Sequence, residues 1–214
     1  MEIFEKEIFW ANNTWVLTNK RAMYWPIEQT LIISDLHLGK AAYFRENGIP
    51  IPTDVNSNSL NTLSYLIEYY KVKRVLILGD LIHKTINIEV LGIKDVISRF
   101  SNIEIILVKG NHDKILNDEF YQLGIDFIYD QLIVNNILFI HKPIEYQGFQ
   151  ISGHIHAGVV VKLLKNSLRL PSFKVNRRLI ILPAFSPFTG MYTENIMSNT
   201  INYAILDEGI VEIR

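Results

Sequence analysis

Apolar residues in this chain fall into short runs closed by polar turns, and the runs change character half-way along. Ile3 to Trp10 alternates, Asn12-Asn13 marks a turn, and Trp15 to Leu17 reads as a second strand. Arg21 to Pro26 leads into Thr30 to Ser34, apolar and β-branched enough for a buried strand, which ends in Asp35-Leu36-His37. Residues 38 to 48 hold helix formers and close on Gly48, a C′ residue, before Pro50 and Pro52 stiffen the connection. From Ser57, the positions Leu60, Leu63, Ile67 and Tyr70 recur at helical spacing. Arg74 to Leu78 is a buried strand ending in Gly79-Asp80. Val90, Ile93, Ile97 and Phe100 give a second helical pattern, and Ile103 to Val108 is a strand ending in Gly110-Asn111-His112-Asp113.

Strand, helix, strand, helix, strand at this spacing predicts βαβ units, with parallel strands and right-handed crossovers. Residues that follow such strands gather at one edge of the sheet, where open α/β sheets bind ligands. The second half predicts strands near Leu132 to Val134, Ile137 to His141, Phe149 to Ser152, Val159 to Leu164, Leu179 to Leu182, Ile201 to Leu206 and Ile210 to Ile213. It shows no helix of convincing length, and the chain has no fixed-period repeat.

Composition narrows the chemistry. At 214 residues and 49% hydrophobic the chain suits a single domain with a substantial core, spanning 1–214. With no cysteine, disulfides, thiolate nucleophiles and zinc fingers are excluded, so any metal must be held by oxygen and imidazole. No stretch approaches the roughly 18 apolar residues of a membrane span, and Glu2, Glu5 and Glu7 do not suit a signal peptide. A cytoplasmic location without membrane contact is expected. The formal charge of −1 hides an asymmetry: between Glu145 and Glu194 there is no carboxylate, while Lys162, Lys165, Arg169, Lys174, Arg177 and Arg178 are all basic. This interval is either a solvated edge hairpin protected by its charges or a surface for a polyanion.

An amide, an imidazole and a carboxylate at the end of a buried strand need partners, because an unpaired buried polar group costs about 1–3 kcal/mol. Five of the six histidines (His37, His112, His141, His154 and His156) follow predicted strands, as do Asp35, Asp80 and Asn111. If Asp35-x-His37 is extended, both side chains share a face; the same reasoning makes His154-x-His156 a second clip. Asp80 between two clips can bridge two ions about 3.5–4 Å apart. Mixed imidazole, carboxylate and amide donors suit manganese, iron or zinc.

Asp35-x-His37, Gly79-Asp80, Gly110-Asn111-His112-Asp113, His141 and Gly153-His154-x-His156 resemble, in order, the motif set of the calcineurin-like metallophosphoesterases. The resemblance implies an α/β fold, a four-layer α/β/β/α sandwich of two mixed sheets flanked by helices, with a binuclear metal site at the strand ends. It implies that Asp35, His37 and His156 hold one metal and Asn111, His141 and His154 the other, with Asp80 bridging. A hydroxide shared by the metals would then attack phosphorus in line. His112 would assist the leaving oxygen, and Asp113 would orient His112.

Nearly the whole chain also resembles the bacterial ligase-associated DNA damage response phosphoesterases, the PdeM family. The resemblance is carried by Arg21 to Pro26, Asp35 to Lys40, Phe44-Arg45, Gly48 to Pro52, Gly79 to His83, Leu182 to Phe185 and Phe188 to Gly190. It implies a manganese-dependent phosphodiesterase or DNA endonuclease acting on single-stranded or damaged DNA, functionally associated with a DNA ligase, a helicase and an exonuclease, as monomer or homodimer. Two positions depart from the family pattern: Lys142 stands where Glu is expected and Ala157 where Pro is expected. Hydrolysis of small phosphate esters or cyclic nucleotides is an alternative activity, and a non-catalytic phosphoesterase-like interaction module a third reading.

Outside the ligand set, Arg45 reads either as a phosphate-binding guanidinium or as a surface helix arginine. His83 reads as a phosphate contact or a helix cap, and Lys40 as a helix-face lysine. Tyr24, Trp25, Phe185 and Phe188 are aromatic enough to stack on bases, although core packing is the commoner use of such rings.

Overall fold

The computed structural model describes residues 1–52, 55–163, 166–195 and 197–214. Strands β1 (Glu5–Trp10), β2 (Asn13–Thr18), β3 (Met23–Trp25) and β4 (Thr30–Ile33) pair as an antiparallel meander. Helices α1 (Lys40–Glu46) and α2 (Val55–Tyr70) then lead to β5 (Arg74–Leu78), α3 (Ile88–Ser98) to β6 (Glu104–Val108), and α4 (Asn117–Gln122) to β7 (Phe127–Tyr129). From β4 to β7 the pairing is parallel, as the alternation of strand and helix predicted.

The parallel strands read as continuous apolar runs because both their faces are covered. Leu31, Ile33, Val75, Ile77, Ile105 and Leu107 pack beneath the apolar stripes of α2 and α3. Their neighbours Ile32, Leu76, Leu78, Ile106 and Val108 face a second sheet. That sheet is made of β8 (Gln131–Val134), β9 (Ile137–Ile140), β10 (Phe149–Ser152), β11 (Gly158–Lys162), β12 (Ser167–Val175), β13 (Leu179–Ile181), β14 (Ile201–Leu206) and β15 (Gly209–Ile213). Phe139, Ile151, Phe173, Val175, Ile180 and Tyr203 complete the core between the sheets.

The expected two-sheet sandwich is therefore present. Helices α2 and α3 pack on the first sheet, on the face away from the second, and among the described residues no helix follows β7. None of these helices is long and apolar enough to cross a membrane.

Strand β12, nine residues long, is not evident from the pattern because Pro171 sits inside it. A proline lacks the ladder N–H, which argues against a central strand. In the fold, Pro171 marks the place where β12 changes partner: residues 167–171 pair with β11, and residues 172–175 pair with β14. Lys174, on that second half, is fully buried and donates to Asn202 Oδ1 at 3.1 Å and Asn195 Oδ1 at 3.3 Å. Its burial lowers the lysine pKa. The basic interval is thus no continuous surface: Lys162 and Arg169 lie on the β11–β12 hairpin, Arg177 and Arg178 follow the other end of β12, and Lys174 is inside. Lys165 and Leu164 lie outside the described residues.

Candidate metal centre

The proposed ligands follow five strands from both sheets. Asp35 and His37 follow β4, Asp80 follows β5, Asn111 follows β6, His141 follows β9, and His154 and His156 follow β10. The β4–β5 ladder continues into the turns, where the Asp35 N–H donates to the Gly79 carbonyl at 3.0 Å and the His37 N–H to the Asp80 carbonyl at 2.8 Å.

The donor atoms fall into two groups, Asp35, His37 and His156 in one and Asp80, His141 and His154 in the other, each with its ligand atoms within 4.8 Å of one another. In the first, His156 Nε2 lies 3.1 Å from His37 Nε2 and 3.3 Å from Asp35 Oδ1. In the second, His141 Nε2 lies 3.1 Å from His154 Nδ1, 3.2 Å from Asn111 Oδ1 and 3.3 Å from Asp80 Oδ2. Asp80 Oδ2 is also 3.9 Å from His37 Nε2, so this carboxylate stands between the groups.

These residues fit a pair of metal ions. Donors about 2.1 Å from one ion stand roughly 3.0–3.4 Å apart in octahedral to tetrahedral arrangements, the spacing found here. Asp35 Oδ1 is buried without a hydrogen-bond partner, while Asp35 Oδ2 accepts from Ser34 Oγ and from the His154 N–H at 3.0 Å. Leu78 O accepts from His141 Nδ1 at 2.8 Å, which leaves Nε2 as the ligating nitrogen.

Electrostatics agree. Burial opposes charge on His141, but the carboxylates of Asp80 and Asp35 outweigh it and raise its pKa; the field that favours a proton there favours a cation. Burial also opposes charge on Asp80, yet His141 and the His112 N–H outweigh it and bring the carboxyl down to about 2. Burial holds the His37 imidazole neutral, at about 3.

The backbone at these ligands differs from the extended geometry expected. Asp35, His37, Asp80, His154 and His156 all have positive φ, between 49° and 66°. Left-handed conformations at non-glycine residues cost about 1–3 kcal/mol each and persist where function fixes them. Asp35 and His37 meet in one group although neither is extended, and His154 and His156, expected to share a face, enter different groups.

Gly110 has no positive φ; it is required by close approach. A Cβ there would lie 2.3 Å from Asp80 N and Oδ1. Likewise a Cβ on Gly153 would lie 1.6 Å from Ser34 Oγ. Both glycines let two ligand loops touch.

His112 belongs to neither group. Its N–H donates to Asp80 Oδ1 at 2.8 Å, and its ring stacks on His83 with centroids 5.1 Å apart and stands edge-on to His37 at 5.3 Å. The structure thus brings His83 beside His112, where burial lowers its pKa to about 4 and its Nδ1 has no partner. Asp113 departs from its expected place behind the His112 ring. Its oxygens accept from the Ile82 N–H at 3.0 Å and the Gly110 N–H at 2.8 Å, tying the Asp80 loop to the His112 loop. Burial raises this carboxyl to about 6.

Arg45 is not brought to the site. Its guanidinium pairs with Glu89 and donates to the carbonyls of Ile51 at 3.4 Å and Pro52 at 3.3 Å. Sequence reasoning also missed a cleft of about 390 Å³ beside Asn111 and His141, flanked by Lys109 and Lys142. The only signal for it was the unexpected lysine at 142. The carbonyl of Leu78 and the hydroxyl of Ser34 were equally hidden, since neither belongs to a recognisable motif.

The family model for calcineurin-like phosphoesterases matches residues 29–194. The fold is similar to the Pseudomonas putida nuclease MPE, with a TM-score of 0.80, 26% identity and 94% of this chain aligned to 96% of that one. It is also similar, with a TM-score of 0.46 and 13% identity, to the Escherichia coli phosphoesterase Yfce, over 86% of this chain and 97% of that one. No match was found among curated proteins. With the family model spanning every residue of both donor groups, the chain belongs to the calcineurin-like phosphoesterases.

Proposed function

We propose that this chain, as one catalytic domain, is a binuclear, manganese-dependent phosphodiesterase that cleaves nucleic acid. In this reading it is a cytoplasmic DNA endonuclease of repair acting on single-stranded or damaged DNA. The observation that carries the proposal is the Asp80 carboxylate shared by two donor groups, with a histidine that joins neither group stacked alongside. The nuclease among the similar structures supports the choice of a phosphodiester.

Asp35, His37 and His156 would hold one ion and Asn111, His141 and His154 the other, with Asp80 touching both. When bound, such ions supply positive charge that polarises phosphate oxygens and lowers the pKa of water. The chain does the rest. Leu78 fixes the orientation of His141, Ser34 and the His154 N–H fix Asp35, and the His112 N–H fixes Asp80. His112 faces the substrate and assists the leaving oxygen as proton donor or hydrogen-bond donor. His83 sets the plane of that ring and reaches the phosphate beside it. Lys109 and Lys142 line the adjoining cleft, where they meet phosphates of a longer strand.

The test compares a single-stranded oligonucleotide with a nitrophenyl phosphodiester across a salt series in Mn²⁺. Oligonucleotide affinity is expected to fall with a log–log slope of about −0.7 per phosphate contact, and the small ester to respond little. Equal salt dependence for both substrates would refute the polymer reading in favour of small esters.

A further inference from the structure

We propose that the cleft between α1 and residues 187–190 is a subsite for one unpaired nucleobase, flanking the phosphodiester at the metal centre. Phe44 and Phe188 form its walls and Lys40 sits at its mouth. The inference rests on the nucleic-acid reading above and deepens it, assigning one of the aromatics that the sequence offers for stacking to a single base.

The cleft measures about 270 Å³ and is lined by Lys40, Phe44, Pro187, Phe188, Thr189 and Gly190. That is just below the roughly 300–1,000 Å³ of whole-ligand pockets, which suits one planar group of a larger substrate. Both walls hang from the first metal-binding loop. On one side, the Lys40 N–H at the start of α1 donates to the His37 carbonyl at 3.2 Å. On the other, Phe185 N–H donates to Ser34 O at 2.8 Å and Ser186 N–H to Asp35 O at 3.3 Å, while Phe188 N–H returns to Ser186 Oγ at 3.2 Å.

Its aromatic rings lie outside both hydrophobic cores and pack only on neighbouring side chains at the cleft. Of the four aromatics that the sequence offers for stacking, Tyr24 is stacked on Tyr70, Trp25 on Trp15, and Phe185 is buried in the core. Phe188 is half-buried, belongs to neither hydrophobic cluster, and meets the equally half-buried Phe44 edge-on at 5.8 Å. Large rings held at an open cleft outside both cores are what single-strand binders offer to bases.

Charge completes the match. Lys40 Nζ lies 6.0 Å from the centre of the Phe188 ring, and the cleft contains no carboxylate of its own. A cation beside an aromatic wall suits a base with the phosphate attached to it. A base stacked on the open face of Phe188, with Phe44 edge-on behind that ring, has to leave its own duplex to enter the cleft, so the subsite selects single-stranded or unwound substrate.

The test uses the Mn²⁺-loaded protein, a single-stranded oligonucleotide and a nitrophenyl phosphodiester. Phe188→Ala is expected to raise the KM for the oligonucleotide roughly 5- to 150-fold, the effect of losing one stacked base. The change on the small diester is expected to be clearly smaller. Phe188→Leu keeps an apolar side chain in the loop, so it should retain metal content and melting temperature and still lose most of the oligonucleotide affinity. Placing an abasic residue at each position in turn should abolish the Phe188→Ala penalty at one position next to the cleavage site, since the two changes then remove the same contact.

An equal loss on both substrates, or a penalty that persists with every abasic oligonucleotide, overturns the subsite. Oligonucleotide cleavage that is indifferent to both Phe188 variants overturns it while leaving the nucleic-acid reading intact. A wild-type protein that hydrolyses the diester and leaves the oligonucleotide whole overturns both.

Discussion

His154 and His156 are two residues apart and serve different donor groups: His154 Nδ1 meets His141 Nε2 at 3.1 Å, and His156 Nε2 meets His37 Nε2 at 3.1 Å. Both residues have positive φ, and the one short loop that holds them reaches both groups. Replacing either is expected to weaken a different ion. In a calorimetric Mn²⁺ titration, His154→Ala and His156→Ala should each leave one of two binding steps near its wild-type affinity and weaken the other by at least tenfold, of the order seen for lost ligand support. Loss of the same step in both variants would contradict the division.

Asp80 and His112 are joined by a 2.8 Å hydrogen bond but have separable roles. Asp80→Ala removes the carboxylate that both groups share, and is expected to lower the metal content of both sites in elemental analysis. His112→Ala is expected to keep two metals per chain and lose about 10²–10⁴-fold in kcat, the usual worth of a positioned proton donor. Equal metal loss in the two variants would show that His112 is itself a ligand.

Arg45, which the sequence leaves open between a phosphate contact and a helix-surface arginine, is held by packing away from the site. Its partner Glu89 accepts in addition from the Ala42 N–H at 3.0 Å and from Asn56, so the pair clamps α1 and α2 to the start of α3. Arg45→Ala leaves this largely buried carboxylate short of its charged partner. Urea denaturation should register a loss of about 1–3 kcal/mol, while the KM for substrate stays at the wild-type value below the melting transition. A raised KM with unchanged stability would return Arg45 to the substrate.

His83 makes the metal-free protein acid-sensitive in a defined window. Burial and the neighbouring His112 lower its folded pKa to about 4, below the 6.5 of the unfolded chain. Below pH 6.5 the unfolded chain binds a proton that the folded chain refuses, so the stability contributed by neutral His83 is complete above 6.5 and is lost as pH falls through 4. In chelator, unfolding free energies measured across that interval should decline less steeply for His83→Asn than for the wild type. Parallel slopes would place the acid sensitivity elsewhere, His37 being the first candidate.

Much of the fold was legible in the pattern because the parallel strands are buried on both faces. Runs such as Leu31 to Ile33 and Ile105 to Val108 leave no other reading, and α2 and α3 carry clear stripes of Leu60, Leu63, Ile67 and Val90, Ile93. Short or interrupted elements were not legible. The six residues of α4 are too few to show a period, the three of β7 too few to alternate, and β12 contains Pro171. In the site, the side chains that the motifs name were legible, and the backbone that arranges them was not.

The sequence alone singled out the candidate donors, because imidazole, carboxylate and amide recur at strand ends in the order of a known motif set, and parallel strands bring the ends of β4, β5 and β6 to one edge of the first sheet. The motif resemblance already implied how the set divides; tertiary structure decided how its side chains are oriented and supported. His156 is placed beside His37 and Asp35, which follow β4, and His154 beside His141, which follows β9. Asp113 supports two backbone N–H groups instead of the His112 ring, Arg45 belongs to Glu89, and Phe44 meets Phe188 across a gap of 144 positions in the chain. These are relations between loops from different strands, set by packing over long sequence separations, and no local pattern of residues encodes them.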